Sequence, residues 1–138
     1  GAATALARRD ETVVATVRDI NRAGPLRQAD GGACIDVVAL DVTDPGSRAE
    51  AIATVEARHG HIDVLVNNAG IFSFGATETL GEADFRALFE ANLFSAFELS
   101  RFAFPLLSQH ASSSIVNVGS VSGLTRWRAA VAGRRATR

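Results

Sequence analysis

The 138 residues contain no methionine, no tyrosine and no lysine, and Cys34 is the only cysteine. Each absence excludes something. Without methionine the chain does not begin at an ordinary start codon, and it reads as part of something longer. Without tyrosine or lysine, neither a phenol nor an amine side chain is available for acid–base work, and arginine does not replace them, because its guanidinium stays protonated. One cysteine forms no intrachain disulfide, and thiolates cannot build a zinc site here, so no metal site is expected and a reducing cytoplasm is the compartment that fits. Uninterrupted apolar runs are missing too. Phe102 to Thr125 carries no Asp, Glu, Lys or Arg, but Pro105, Gln109, His110 and a serine cluster break it. The opening GAATALARRDE lacks the apolar core of a signal peptide, and no membrane span is expected.

What is present suits one globular domain: 47% of residues are hydrophobic, in a chain too short for two comfortable cores. The formal net charge of -1 gives no general reason to expect nucleic acid or an acidic membrane as partner. The charge is uneven, however. All fifteen acidic residues precede Arg126, while five of the fourteen arginines follow from there, which puts about -6 on the body and +5 on the end. Residues 125–138 therefore read as an aberrant Arg-rich, disordered tail, out of frame or replaced, and residues 1–124 as the domain.

Within the domain, short apolar strands alternate with helices. Gly1 to Arg9 is alanine-rich and helical; ETVVATVR and IDVVAL are β-branched runs suited to buried strands; INRAGPLRQADGG between them holds a connection with at most a short helix. Asp44 and Pro45 open a helix with Ile52 and Val55 facing inward, ending near Gly60. IDVLVNNAG is a third strand, expected to be buried on both faces at Val64 to Val66. Leu80 to about Leu107 has helical spacing, with Phe85, Leu88, Phe89, Leu93 and Ala96 on one face until Pro105 disturbs it. SIVNVGS is a fourth strand. This alternation predicts an α/β fold, a partial Rossmann-type doubly wound parallel sheet in three α/β/α layers.

In open α/β sheets, ligands bind at the carboxyl edge of the strands. Asn67, Asn68, Ala69 and Gly70 stand at that edge of the third strand. Ala69 and Gly70 leave room for a flat ligand against the backbone, and asparagine amides hold either a turn or a ribose. At the end of the first strand the sequence has Thr16, Val17 and Arg18. A guanidinium suits a phosphate, because its fork of donors meets the oxygens bidentately, with a surface pair to Asp19 as the alternative. Asn92 falls on the apolar stripe of its helix, where a polar side chain needs partners.

Asn-Asn-Ala-Gly after Ile-Asp-Val-Leu-Val resembles the signature of the short-chain dehydrogenase/reductase family, and the rest of residues 1–124 follows that family in order. The resemblance implies that Asp41 and Val42 contact the adenine ring, that Arg18 grips the phosphate of NADP, and that NADP(H) is favoured over NAD(H). It implies that Asn92 distorts its helix and supports a water relay. It also implies that Ser120, with Ser122 the weaker choice, hydrogen-bonds a substrate carbonyl and the oxyanion that develops from it.

Two family elements are not matched. Gly1 matches only the last glycine of the turn that cradles the pyrophosphate, and the strand before that turn, which lies between the second and fourth strands of the family order, is missing, leaving a gap at the centre of the sheet. The family's tyrosine falls about thirteen residues after the serine and its lysine one helical turn later, near Gly133 and Thr137 here. The expected function is thus that of a cytoplasmic NADP(H)-linked oxidoreductase lineage, interconverting a small carbonyl and an alcohol, while this chain as written is inactive. The segments ATVRD and GSVSGL are similar to hydroxysteroid-dehydrogenase-like members without defining a substrate. Full-length relatives are expected to be homo-oligomers. The alternatives are a non-catalytic dinucleotide-binding module and, through the arginine-rich end, a basic arm for nucleic acid or acidic surfaces.

Overall fold

A computed structural model describes residues 2–9, 11–24, 26, 35–73 and 77–120; Gly1, Cys34, Ser122 and the stretch 125–138 lie outside them. Helix α1 (Ala2–Ala7) leads into strand β1 (Val13–Val17), whose β-branched residues favour the extended chain. Strand β2 (Ile35–Ala39) pairs with it in parallel, Val13 opposite Ile35 and Val17 opposite Ala39. Helix α2 (Pro45–His59) starts as its sequence requires: the Asp44 carboxylate accepts from the Ser47 N–H at 2.8 Å, and proline stands where no intrahelical donor is needed. It stops at Gly60, whose φ of 79° only glycine adopts without strain.

Strands β3 (Val64–Asn67) and β4 (Ser114–Asn117) form a second parallel pair. Between them, helix α3 (Glu82–Phe89) runs into a π-helical turn over Glu90–Phe94 and then helix α4 (Ser95–Leu107). The expected central gap is present: among the described residues β1–β2 and β3–β4 are separate two-stranded sheets. Packing joins them instead. Val38 and Leu40 from the β2 segment, Ala51 from α2 and Leu99 from α4 form one buried cluster, with Val14, Val42 and Ile52 against it. Val13, Ala15 and Val37 point to the opposite face by strand alternation, where α1 lies against β1 and β2. Three layers therefore meet at the first sheet.

Two local expectations are corrected. Val64 and Val66 are exposed, by 54% and 39%, while Leu65 and Asn67 between them are half-buried. Helix α4 covers one face of β3, and no described element covers the other. The buried face of the long helical region is carried by Ala91, Ser95, Leu99, Ala103, Leu106 and Leu107, while Phe85, Phe89 and Leu93 are exposed. Small side chains let α4 approach its neighbours closely, and the larger rings are left on the flank. The helical region ends at Leu107, as expected, with Pro105 inside it. The proline stands in the last turn, where only one ladder bond is lost, and burial of Leu106 and Leu107 holds that turn in place. No described helix is long and apolar enough to cross a membrane.

The far end of α2 is tied to β2 by Asp36, which accepts from Arg58 Nη1 at 2.7 and 2.9 Å and from His59 Nε2 at 3.2 Å. The Arg58 hydrogen bond is the main cause that holds the Asp36 carboxyl below its ordinary value of 3.8. A depressed folded-state value contributes stability that is present above the unfolded value and is lost as pH falls through the folded one. Arg58→Ala should therefore lower the urea midpoint at pH 7, and the gap to the unsubstituted chain should narrow below about pH 4. Urea titrations of both proteins across that range check this.

Candidate active site

The carboxyl ends of the strands gather the expected residues into two groups, one on each sheet. On the first, Arg18 leaves β1 with its side chain 70% exposed and its Nε 3.5 Å from Asp41 Oδ2. The alternative partner, Asp19, is engaged elsewhere: it caps a short 3-10 turn (Ile20–Arg22) by accepting from the Asn21 N–H and lies 3.8 Å from Arg22. Asp41 is held from several sides. Its Oδ1 accepts from the Thr43 hydroxyl at 2.7 Å and the Thr43 N–H at 2.9 Å, and its own N–H donates to Ser47 Oγ. The Thr43 hydroxyl, then the Thr43 N–H and then Arg18 hold the Asp41 carboxyl below its ordinary value. A fixed anion beside an exposed guanidinium results.

On the second sheet, Asn67 and Asn117 stand opposite each other in register, and Asn67 Nδ2 donates to Asn117 Oδ1 at 2.8 Å and to Ser100 Oγ at 3.2 Å. Asn67 Oδ1 is buried and has no hydrogen-bond partner among the described residues. Ser120 follows three residues beyond β4 at the same edge, exposed. Ala69 and Gly70 continue from β3, also exposed.

Asn92 lies inside the π-helical turn, so the helix is distorted at the expected residue, but its side chain is exposed rather than buried. The wide turn projects its amide onto the chain after β3. Asn92 Oδ1 accepts from the Ile71 N–H and Asn92 Nδ2 donates to the Ile71 carbonyl, both at 2.8 Å. A backbone presents one donor and one acceptor, so this pairing fixes which way the amide points. It also explains Gly70: a Cβ there would lie 3.0 Å from Asn92 Oδ1. Glycine suits the close approach rather than a special φ, since a side chain there would press on the Asn92 amide.

Arg48, which no sequence pattern singles out, connects the groups. It is 4% exposed, donates from Nη1 to the Val42 carbonyl at 2.6 Å, and lies 3.6 Å from Glu90 Oε1 at the start of the π-helical turn. Asn117 was also missed, although its place in the second strand of a parallel pair, level with Asn67, is a signal once the register is known. Gly1 and Ser122 lie outside the described residues.

The Asn92 clamp yields a pH-resolved test. Asn92→Ala should cost about 1 kcal/mol, since water replaces part of two exposed hydrogen bonds, with little pH dependence. Asn92→Asp keeps the acceptor but sets a carboxylate oxygen against the Ile71 carbonyl. It should be less stable than Asn92→Ala at pH 7 and recover on acidification as the carboxyl becomes a donor. Thermal midpoints at pH 7 and pH 4 distinguish the two.

Comparison with known proteins places this edge in a family. The family model described as short chain dehydrogenase matches residues 1–132. Retinol dehydrogenase 8 of Bos taurus is 37% identical over 115 residues, which cover 81% of this chain and 36% of that protein. The crystal structure of a short-chain dehydrogenase from Streptomyces avermitilis superposes with a TM-score of 0.80 at 36% identity, over 91% of this chain and 47% of that one. The NADP-bound structure of ElxO superposes with a TM-score of 0.81 at 28% identity, over 92% and 53% respectively. The chain thus spans about half or less of the relatives it matches. With the strand order, the Asn-Asn-Ala-Gly turn and the asparagine-centred π-helical turn all in their places, the chain belongs to the short-chain dehydrogenase family.

Proposed function

We propose that the chain carries the adenosine-binding and carbonyl-binding portions of an NADP(H)-linked oxidoreductase that interconverts a small carbonyl compound and an alcohol in the cytoplasm. The observation that carries this reading is the pairing of an exposed Arg18 with a fixed Asp41 at one carboxyl edge, with Asn67, Gly70 and Asn92 clamped at the other. NADP(H) supplies or accepts the hydride in such a reaction.

The residues present fit a dinucleotide. The exposed Arg18 fork would meet a 2′-phosphate, and Thr43 restrains the neighbouring carboxylate, which lies beside the guanidinium in a fixed position. Asp41 and Val42 would border the adenine. Gly70, with the Asn92 amide behind it, lets a flat group lie against backbone, and the buried Asn67 Oδ1 is an acceptor whose hydrogen bond is still to be made. Ser120 donates its hydroxyl to a carbonyl oxygen and favours the negative charge that grows there. No tyrosine or lysine in these 138 residues follows it to move the proton, so the chain binds without turning over.

Fluorescence titration with NADPH and NADH tests both halves of the proposal. NADPH should bind about tenfold tighter, a difference of roughly 1.4 kcal/mol, and Arg18→Ala should bring the two affinities together. Carbonyl-dependent oxidation of NADPH should stay at the uncatalysed rate. Equal affinities in the unsubstituted chain, no binding of either nucleotide, or measurable turnover would contradict the proposal.

A further inference from the structure

At the opposite, amino edge of the second sheet, His61 and Asp63 precede β3, and His110 lies in the turn between α4 and β4. One ligand atom from each, His nitrogen or carboxylate oxygen, can be chosen so that all lie within 4.8 Å of one another. The His61 and His110 rings are 4.7 Å apart between centroids. Backbone hydrogen bonds hold the two connections together: Ser114 N–H donates to the Asp63 carbonyl at 2.8 Å, and Ile62 N–H to the Leu106 carbonyl at 3.4 Å. The side chains are exposed, but their backbones are not free to separate.

The chemistry of His61 is the informative part. Its Nδ1 lies 3.1 Å from the His59 carbonyl. A carbonyl only accepts, so Nδ1 carries the hydrogen, and in the neutral ring Nε2 is left with a lone pair. That lone pair is 3.3 Å from Asp63 Oδ2, another acceptor. Two acceptors at that distance repel unless a cation lies between them, either a proton or a metal ion. The separation matches the edge of a tetrahedron with bonds of about 2.0 Å, the length of zinc bonds to imidazole nitrogen and carboxylate oxygen. The His59 carbonyl plays the part of an outer partner that fixes the tautomer and orients a metal-ligating ring.

We propose that His61, Asp63 and His110 form a binding site for a late first-row divalent cation of the Zn²⁺ type, with water completing the coordination. Two imidazoles and one carboxylate select such ions over Mg²⁺ or Ca²⁺, which prefer oxygen ligands throughout. Exposed side-chain rotation brings His110 into the sphere, and the ion then pins the connection before β3 to the connection before β4. The site is independent of dinucleotide binding, which belongs to the other edge of the strands.

Calorimetric titration of Zn²⁺ into the full chain at pH 7.5 should give one equivalent of binding and a rise in thermal midpoint. His61→Ala, Asp63→Asn and His110→Ala should each weaken binding at least tenfold, while Cys34→Ser should leave it unchanged. Diethyl pyrocarbonate labelling of the unsubstituted chain provides a reading that needs no variant: Zn²⁺ should protect His61 and His110 together. Absence of binding, binding that survives His110→Ala, loss of binding in Cys34→Ser, or labelling of both rings undiminished by Zn²⁺ would overturn the proposal.

Discussion

Arg48 is the side chain on which the geometry of the candidate site depends most. The two strand pairs share no ladder among the described residues, so the edge that carries Arg18 and Asp41 is not aligned with the edge that carries Asn67 and Asn92 by strand hydrogen bonds. A buried guanidinium stands at that division, its Nη1 donating to the Val42 carbonyl and lying 3.6 Å from Glu90 Oε1. Burying a charge is costly unless it is paired and hydrogen-bonded, so Arg48 is stable only while both elements keep their places. Its Nε remains buried without a partner among the described residues, which makes the two contacts it does have harder to replace. The apolar cluster of Val38, Leu40, Ala51 and Leu99 supplies the bulk of the attraction between the same elements, and Arg48 gives that attraction a direction.

From Glu90 the constraint passes into the π-helical turn and out again through Asn92. A regular α-helix would set that amide at a different angle; the widened turn aims it at Ile71, and the absence of a side chain at Gly70 lets it come within hydrogen-bonding distance. The backbone between β3 and α3 is therefore shaped by a residue 21 positions later in the chain. The same logic operates at Asp41, where Thr43 holds the carboxylate and Ser47 the backbone N–H before any ligand arrives. Preorganised donors and acceptors at a sheet edge are what a binding site needs, because they need not be ordered at the moment of binding.

Much of this was legible in the sequence, and the limits have physical causes. The strands, the Asp44 cap, the Gly60 stop and the break at the sheet centre all follow from local patterns or from the order of motifs, and the structure places them as read. Asn92 was singled out as a polar residue on an apolar helical stripe and through the family resemblance; the helix is distorted there as the resemblance implies, but the residue is exposed, so the burial argument does not hold. The buried helix face was misread because large rings were given more weight than Ala91, Ser95 and Ala103, and close packing favours the small residues. Arg48 was invisible: an arginine in the first turns of a helix has no sequence mark that distinguishes a buried bridge from a solvated charge. Asn117 and the His61, Asp63 and His110 group were missed because their partners are distant in the chain and become neighbours only when β3 and β4 pair.

Residue-resolved amide hydrogen exchange of the chain carrying Arg48→Met tests the central claim most directly, since exchange reports local opening segment by segment. Methionine retains most of the side-chain volume and removes the charge and its donors. If Arg48 couples the two edges, protection should fall together at residues 41–43, 69–71 and 90–94. Loss confined to residues 41–48, with Ile71 and the π-helical turn as protected as before, would contradict the account.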